Sequence, residues 1–262
     1  MSKNAEYARA LGRVAPAVIS VGAIIVAWEL YAQFADIAPT TLPPPSRVVT
    51  QAVQHRQALW DNTVPTLTAT LAGFACSLLA AFVFSVLIDF FEPMRRALLP
   101  VFIISQTLPL VAIAPLIVLW FGFGLAPKIM LVALVTFFPM LVALVQGYAA
   151  TDRDITALLA SMGAGRGRIF VLARLPTALP YFFAGLRISI TYAVVGAIFA
   201  EYAGAARGLG IYILNSKNNF RPDLVLAAVL VSASLTLMLF GVTVLIQRLA
   251  MPWARLSQGA KP

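Results

Sequence analysis

Residues Val64–Ile88 read VPTLTATLAGFACSLLAAFVFSVLI, and no Asp, Glu, Lys or Arg interrupts them. A hydrocarbon layer about 30 Å thick is crossed by roughly 20 apolar helical residues rising 1.5 Å each, so this stretch is long enough to span a bilayer. Five further runs of similar kind flank it, at Val14–Phe34, Ala97–Trp120, Ile129–Tyr148, Thr177–Ala200 and Leu224–Ile246. The composition agrees, with 61% hydrophobic residues, 11% charged residues and a mean hydropathy of +0.89, where soluble domains hold about 25% charged residues. The expected fold class is all-α, a polytopic membrane helical bundle of six transmembrane helices. Pro100, Pro109, Pro115 and Pro139 fall inside these runs. Bilayer helices tolerate proline where neighbours re-satisfy the freed carbonyls, so kinked spans are expected, above all the third.

The first run follows Lys3, Arg9 and Arg13 and imitates a signal peptide. It is longer than a signal-peptide core, and no A-x-A site follows, so it is expected to remain as a span. Between the first two spans, Pro39, Pro43, Pro44 and Pro45 predict an extended connector leading into an interfacial helix that carries Val48, Val49, Ala52 and Val53. The net charge of +9 comes from scattered Lys and Arg rather than from a basic tract interleaved with aromatics, which argues for loop cations over nucleic-acid binding. With the N-terminus inside, the inner segments hold 12 Lys and Arg against 6 in the outer ones, with Arg187 inside the fifth span. That asymmetry predicts two cytoplasmic termini: a tail at 1–13, the membrane domain at 14–250 and a second tail at 251–262. Cys76 has no partner for an intrachain disulfide, and one His with one Cys makes no metal cluster. Cys76 is expected as a buried small residue.

The longest inner loop, at about 149–176, contains TDRDITALLASMGAGRGRIFVLARLP. Thr151, Asp152 and Asp154 suit a helix N-terminus, and Ile155, Leu158, Leu159 and Met162 recur at helical spacing. Gly163 supplies a stop, because glycine alone takes positive φ freely. A second short helix is expected from Arg166, carrying Ile169, Phe170 and Leu172, with Pro176 marking entry to the next span. The result is a helix-turn-helix with an apolar knob that a soluble partner can grip. Gly163, Gly165 and Gly167 do not form a phosphate-cradling loop, since the G-x4-G-K-[ST] string is absent.

These residues resemble the permeases of binding-protein-dependent ABC importers, in the group that handles nitrate, sulfonates, taurine and thiamine-pyrimidine precursors. The cytoplasmic signature of that family, E-A-A-x3-G-x9-I-x-L-P, meets Gly163, Leu175 and Pro176 at its spacing. Ala157, Leu158 and Leu159 stand in the E-A-A slots and Ala173 in the Ile slot, so the copy is degenerate. PPPSRV at Pro43–Val48, LPLVAIAPLIVLWFGFG at Leu108–Gly124, LPYFFAGLRIS at Leu179–Ser189 and GLG at Gly208–Gly210 appear in family order. The resemblance implies a multi-pass protein of the bacterial cytoplasmic membrane with no cofactor and no catalytic residue. It also implies a second permease copy, most simply a homodimer, two cytoplasmic ATPase subunits and an extracytoplasmic solute-binding protein. Leu159, Met162, Gly163, Ile169, Phe170, Leu175 and Pro176 are the expected ATPase-coupling residues.

Candidates for the translocation path are Gln106, Thr107, Arg187, Ser189, Tyr192 and Glu201. A mid-membrane cation costs about 2.5–3.5 kcal/mol even on the lenient insertion scale and so faces protein or water. Arg187 is thus either an anion attractor or a structural arginine bonded to carbonyls. Ser189, Tyr192, Gly196 and Phe199 offer one face of the fifth span, lining the path or packing helices. Gln106 and Thr107 sit beside the Pro109 kink, as a solute contact or a helix–helix hydrogen bond, and Glu201 closes the fifth span by pairing with Arg207, by lining an outer gate or as an interface carboxylate facing water. An ion-driven secondary transporter is the alternative, although no acidic residue lies deep within a span. The string AEYAGAARGLG resembles the thiamine-pyrimidine-precursor permeases more than the sulfonate ones.

Overall fold

Two glycines and a proline on facing helices decide how closely the chain packs. The computed structural model describes residues 3–35 and 38–252, with α-helices α1 (Lys3–Phe34), α2 (Pro45–Gln54), α3 (Arg56–Phe90), α4 (Glu92–Thr107), α5 (Leu110–Phe121) and α6 (Leu125–Ala149). After these come α7 (Arg153–Ser161), α8 (Arg166–Ile169), a π-turn at Phe170–Arg174, then α9 (Leu175–Gly204), α10 (Leu209–Asn218) and α11 (Pro222–Ala250). No strand occurs among the described residues. The expected tail at 251–262 falls outside them from residue 253 onward.

The larger of two compact units comprises the described parts of Trp60–Ile211 and Val231–Pro262. Its centre is the seam between α6 and α9, where small residues let the backbones approach. A Cβ on Gly185 would stand 2.5 Å from Ala143 Cβ and 3.0 Å from Pro139 O, and one on Gly147 would stand 2.7 Å from Ala178 Cα. Membrane helices lack a hydrophobic drive toward each other, since lipid is equally apolar, and rely on such close van der Waals contact and on polar links. Ser189 supplies one link by donating to Thr136 O across the seam at 2.8 Å. Around this seam Ala69, Val132, Ala193, Val194, Ala197, Leu235 and Leu239 form one buried cluster. A second gathers Ala81, Met140, Leu141, Phe183 and Leu186. Cys76 lies outside both, exposed on α3 rather than buried as expected: its helical position points away from the seam that Gly73 and Ser77 face.

The smaller unit comprises the described parts of Met1–Leu59 and Tyr212–Leu230. Here Pro44 precedes α2 without capping it, and the orphan N–H of Ser46 is taken by Glu29 at 2.9 Å, with Ser46 Oγ on the same carboxylate at 2.7 Å. Helix starts leave such donors unpaired and favour an anion, so Glu29 fixes the proline connector against α1. Asp223 holds the other corner, with Arg221 at 3.0 Å and Arg47 at 3.4 Å. These two cations, expected only as loop charge, are structural partners.

Four described helical runs are long and apolar enough to cross a membrane: Arg56–Phe90, Leu125–Ala149, Arg166–Gly204 and Pro222–Ala250. The expected third span is broken rather than kinked, with α4 and α5 meeting at 102°. Pro109 drives Leu108 out of the helical region, to φ −73° and ψ 124°, and the two halves make at most one further span. The apolar part of α1 runs for 17 residues, Val18–Phe34.

The second coupling helix is not separate from the fifth span, as its expected boundary at Pro176 implied. Helix α8, the π-turn and α9 run on from Arg166 to Gly204, because Leu175 N reaches back to Phe170 O. This i to i−5 bond opens the ladder by one residue and accommodates Pro176, which has no N–H to give.

Because the α6–α9 seam has no room for a side chain at position 185, Gly185→Val is expected to destabilise the bundle by about 1–3 kcal/mol. Gly241→Ala, whose Cβ meets nothing within 4 Å, is expected to melt like the parent. Thermal unfolding of both variants in detergent checks this; an unchanged midpoint for Gly185→Val would refute the tight seam.

Candidate functional site

The segment after α6 forms the projecting feature of the larger unit. Asp152 caps α7 by accepting from Asp154 N at 2.8 Å. The helix ends where Gly163 N bonds Ala160 O and Ala164 N bonds Leu159 O, both at 3.0 Å, with Gly163 at φ +79°. That bond pair satisfies two terminal carbonyls and requires a left-handed residue. A Cβ at Gly163 would touch nothing, so only its backbone conformation demands glycine.

The apolar face that α7 leaves open consists of Ile155, Leu158 at 61% exposure and Met162 at 74%, spaced i, i+3 and i+7. Of the expected coupling residues, Leu159, Ile169 and Leu175 are half-buried and Pro176 is exposed. Phe170 is 8% exposed, with its ring 5.1 Å from that of Tyr148 and 5.4 Å from that of Phe90. It anchors the start of the long helix rather than standing in the open face, because its ring packs against those two rings from α3 and α6. Arg174 secures the same base, its Nη1 donating to both oxygens of Asp89 at 2.6 and 2.7 Å.

At the far end of α9, Glu201 is fully buried. Its partner is not the Arg207 side chain but Lys128, whose Nζ lies 3.2 Å from Glu201 Oε1 and 3.0 Å from Arg207 O. Thr66 Oγ1 donates to the carboxylate at 2.9 Å and accepts from Leu209 N at 2.8 Å. Gly210 N donates to Glu201 Oε2 at 2.9 Å, and Gly208 N to Asn62 Oδ1 at 2.9 Å. The GLG string is thereby explained: a Cβ on Gly208 would stand 2.1 Å from the carboxylate, and one on Gly210 would stand 2.4 Å from Ile198 O. Buried charge is tolerated only when paired and fully hydrogen-bonded, and this cluster meets that condition. Sequence reasoning missed Lys128 and Thr66. The one available signal was a lysine beside the first turn of an apolar run.

The remaining path candidates are dispersed. Ser189 is buried in the seam, whereas Tyr192 is exposed on another side of α9, so the expected common face is split. Arg187 is half-buried, and its Nε donates to Phe183 O of its own helix at 3.4 Å. Gln106 and Thr107 lie exposed at the α4–α5 break, where Thr107 Oγ1 donates to Ile104 O at 2.8 Å. No group of three or more His, Cys, Asp or Glu able to hold a metal exists among the described residues.

Long apolar helices, joined by a short capped helix after α6, define a multi-pass membrane protein. The chain belongs to the family of binding-protein-dependent transport system inner membrane components, whose model matches residues 73–252. It is 33% identical over 228 residues to a probable ABC transporter permease protein of Haemophilus influenzae, covering 87% of this chain and 93% of that one. It is 31% identical over 233 residues to the formylaminopyrimidine transport permease protein ThiX of Halalkalibacterium halodurans, covering 88% and 93%. A chain in the crystal structure of an amino acid ABC transporter with histidines shares its fold, with a TM-score of 0.62 at 15% identity over 76% of this chain and 97% of that one. The protein is thus a permease subunit of an ABC importer in a membrane. Family membership implies an ATPase and a binding protein as partners and removes the ion-driven alternative.

Removing one member of a buried ion pair leaves an unpaired charge at a cost of about 3–5 kcal/mol. Lys128→Met is therefore expected to lower stability by that order, and Lys128→Met with Glu201→Gln to recover part of the loss. A double-mutant cycle by thermal unfolding in detergent checks the coupling; strictly additive effects would contradict it.

Proposed function

We propose that this permease pairs with a second copy to enclose a path for a small nitrogen heterocycle of the thiamine-pyrimidine-precursor kind, and that α7 passes ATPase movement to the spans. Six spans with both termini cytoplasmic complete the reading, which the 12 to 6 cation asymmetry supports. The carrying observation is the open stripe of Ile155, Leu158 and Met162 on a helix that ends at Gly163, shortly before a continuous helical run begins at Arg166. An apolar stripe displayed to water is costly unless covered, and an ATPase groove covers it. Force on α7 then reaches α9 through Gly163 and a base held by Phe170 and Arg174. Leu159, Ile169, Leu175 and Pro176 shape that joint.

The exposed side of α9, with Tyr181, Ile188, Tyr192 and Val195, is offered to the second copy and the path, with Arg187 beside it. Gln106 and Thr107 supply polar groups at the helix break. The solute class is supported by the 31% identity to the formylaminopyrimidine permease.

Gly163→Val carries a left-handed strain of about 1–2 kcal/mol with no steric clash. It is expected to insert normally, to copurify weakly with the ATPase and to lose at least about tenfold of solute-stimulated ATP hydrolysis. Leu158→Glu is expected to do the same, and Ala164→Val to behave as the parent. Copurification and hydrolysis in vesicles with the cognate binding protein measure this, and parental coupling in both variants would end the reading of α7. In a Cys76→Ala background, Ser257→Cys is expected to be labelled only from the inside and Asn218→Cys only from the outside. Uptake of labelled formylaminopyrimidine against taurine decides the solute.

A further inference from the structure

Behind α7, on the side away from its open apolar stripe, two adjoining cavities of about 340 and 320 Å³ share Asp89, Glu92, Thr156 and Arg174 in their walls. Each has room for roughly ten waters by liquid volume. Four arginines, Arg95, Arg153, Arg166 and Arg174, line the pair against the two carboxylates, which leaves two positive charges in excess. Arg174 is committed to Asp89, and Glu92 is paired outward with Arg96 at 3.2 Å. Arg95, Arg153 and Arg166 have no ion-pair partner among the described residues. A polar cavity with surplus guanidinium groups lacks an anionic acceptor of several hydrogen bonds.

The cavities lie where Ile88, Asp89, Val145 and Tyr148 end the apolar runs of α3 and α6, which is headgroup depth for spans of this length. Planar guanidinium groups match phosphate oxygens, and basic pockets at the ends of spans take lipid phosphates. The geometry points to a site for a phosphate-bearing anion, a phosphodiester lipid headgroup or free phosphate, held between α7 and the bases of α3, α4 and α9. Bound there, the anion ties Arg153 and Thr156 of α7 to Arg95 and Arg174, stiffening the base on which α7 stands. The site does not depend on the coupling role given to α7 or on the solute.

The test uses the full chain purified in neutral detergent without ATPase or binding protein, so its outcome is separate from that of the coupling experiments. Phosphatidylglycerol, phosphatidylcholine and inorganic phosphate at matched ionic strength are the probes, read by thermal midpoint and by native mass spectrometry of retained lipid. Phosphatidylglycerol is expected to raise the midpoint and to be retained, and phosphatidylcholine to do neither. Arg95→Gln with Arg153→Gln is expected to weaken apparent affinity about tenfold or more, at roughly 1 kcal/mol per cation, while Lys217→Gln leaves it unchanged. Protection by phosphatidylglycerol alone assigns the site to lipid, and equal protection by inorganic phosphate assigns it to the free anion. Equal response of the wild-type chain to both lipids with none to phosphate overturns the proposal even if the double variant fails to fold. Parental affinity in a folded double variant also overturns it.

Discussion

The contact between α6 and α9 carries the rest of the larger unit. In lipid, two apolar helices gain nothing by hiding from solvent, so their attachment depends on how near the backbones can come. Gly147, Gly185 and Gly196 on the two helices, with Ala143 and Ala178 opposite, bring them within reach. Ser189 then adds a hydrogen bond that lipid cannot offer. Helices α3 and α11 pack Ala69, Leu235 and Leu239 onto this pair, and the residues at its two ends are oriented by it.

Those two ends use opposite strategies. At the Glu201 end, charge is withdrawn from solvent and satisfied by the Lys128 ammonium, the Thr66 hydroxyl and the Gly210 N–H, so that the Gly208–Gly210 segment is drawn down onto the carboxylate. At the Arg174 end, charge stays near the surface in the Asp89–Arg174 pair and aromatic rings do the closing, with Phe170 set edge-on to Tyr148 and tilted against Phe90. A fully satisfied buried network is rigid because any displacement strands a charge. A rim of exposed cations can rearrange at little cost. The division gives the larger unit one rigid end and one end that can rearrange.

Much of the architecture was legible because the bilayer demands long apolar runs, and Val64–Ile88 or Leu224–Ile246 cannot be read otherwise. Gly163 was legible for the same kind of reason: only one residue type takes its backbone angles freely. Local pattern failed where long-range geometry decides. The 102° break at Pro109 needs neighbours that re-satisfy freed carbonyls, which a run of apolar letters does not reveal. Lys128 and Glu201 stand 73 positions apart, and no spacing rule links them, so Lys128 looked like loop charge. Phe170 was misplaced because its ring packs on Phe90 and Tyr148, contacts from other helices that local spacing does not reveal.

That π-turn has a wider meaning for the chain. An α-helix advances about 100° per residue, and a π-turn takes up one surplus residue that would otherwise rotate the helical segment on one side against that on the other. Losing a single residue between Phe170 and Arg174 would let the turn close into α-helix with the segments on either side still in phase, whereas one residue more or fewer in the α-helical turns of α9 would rotate Arg166–Ile169 by about 100°. These five positions act as a slack joint, taking up a length that the α-helical repeat cannot hold without turning one flank against the other.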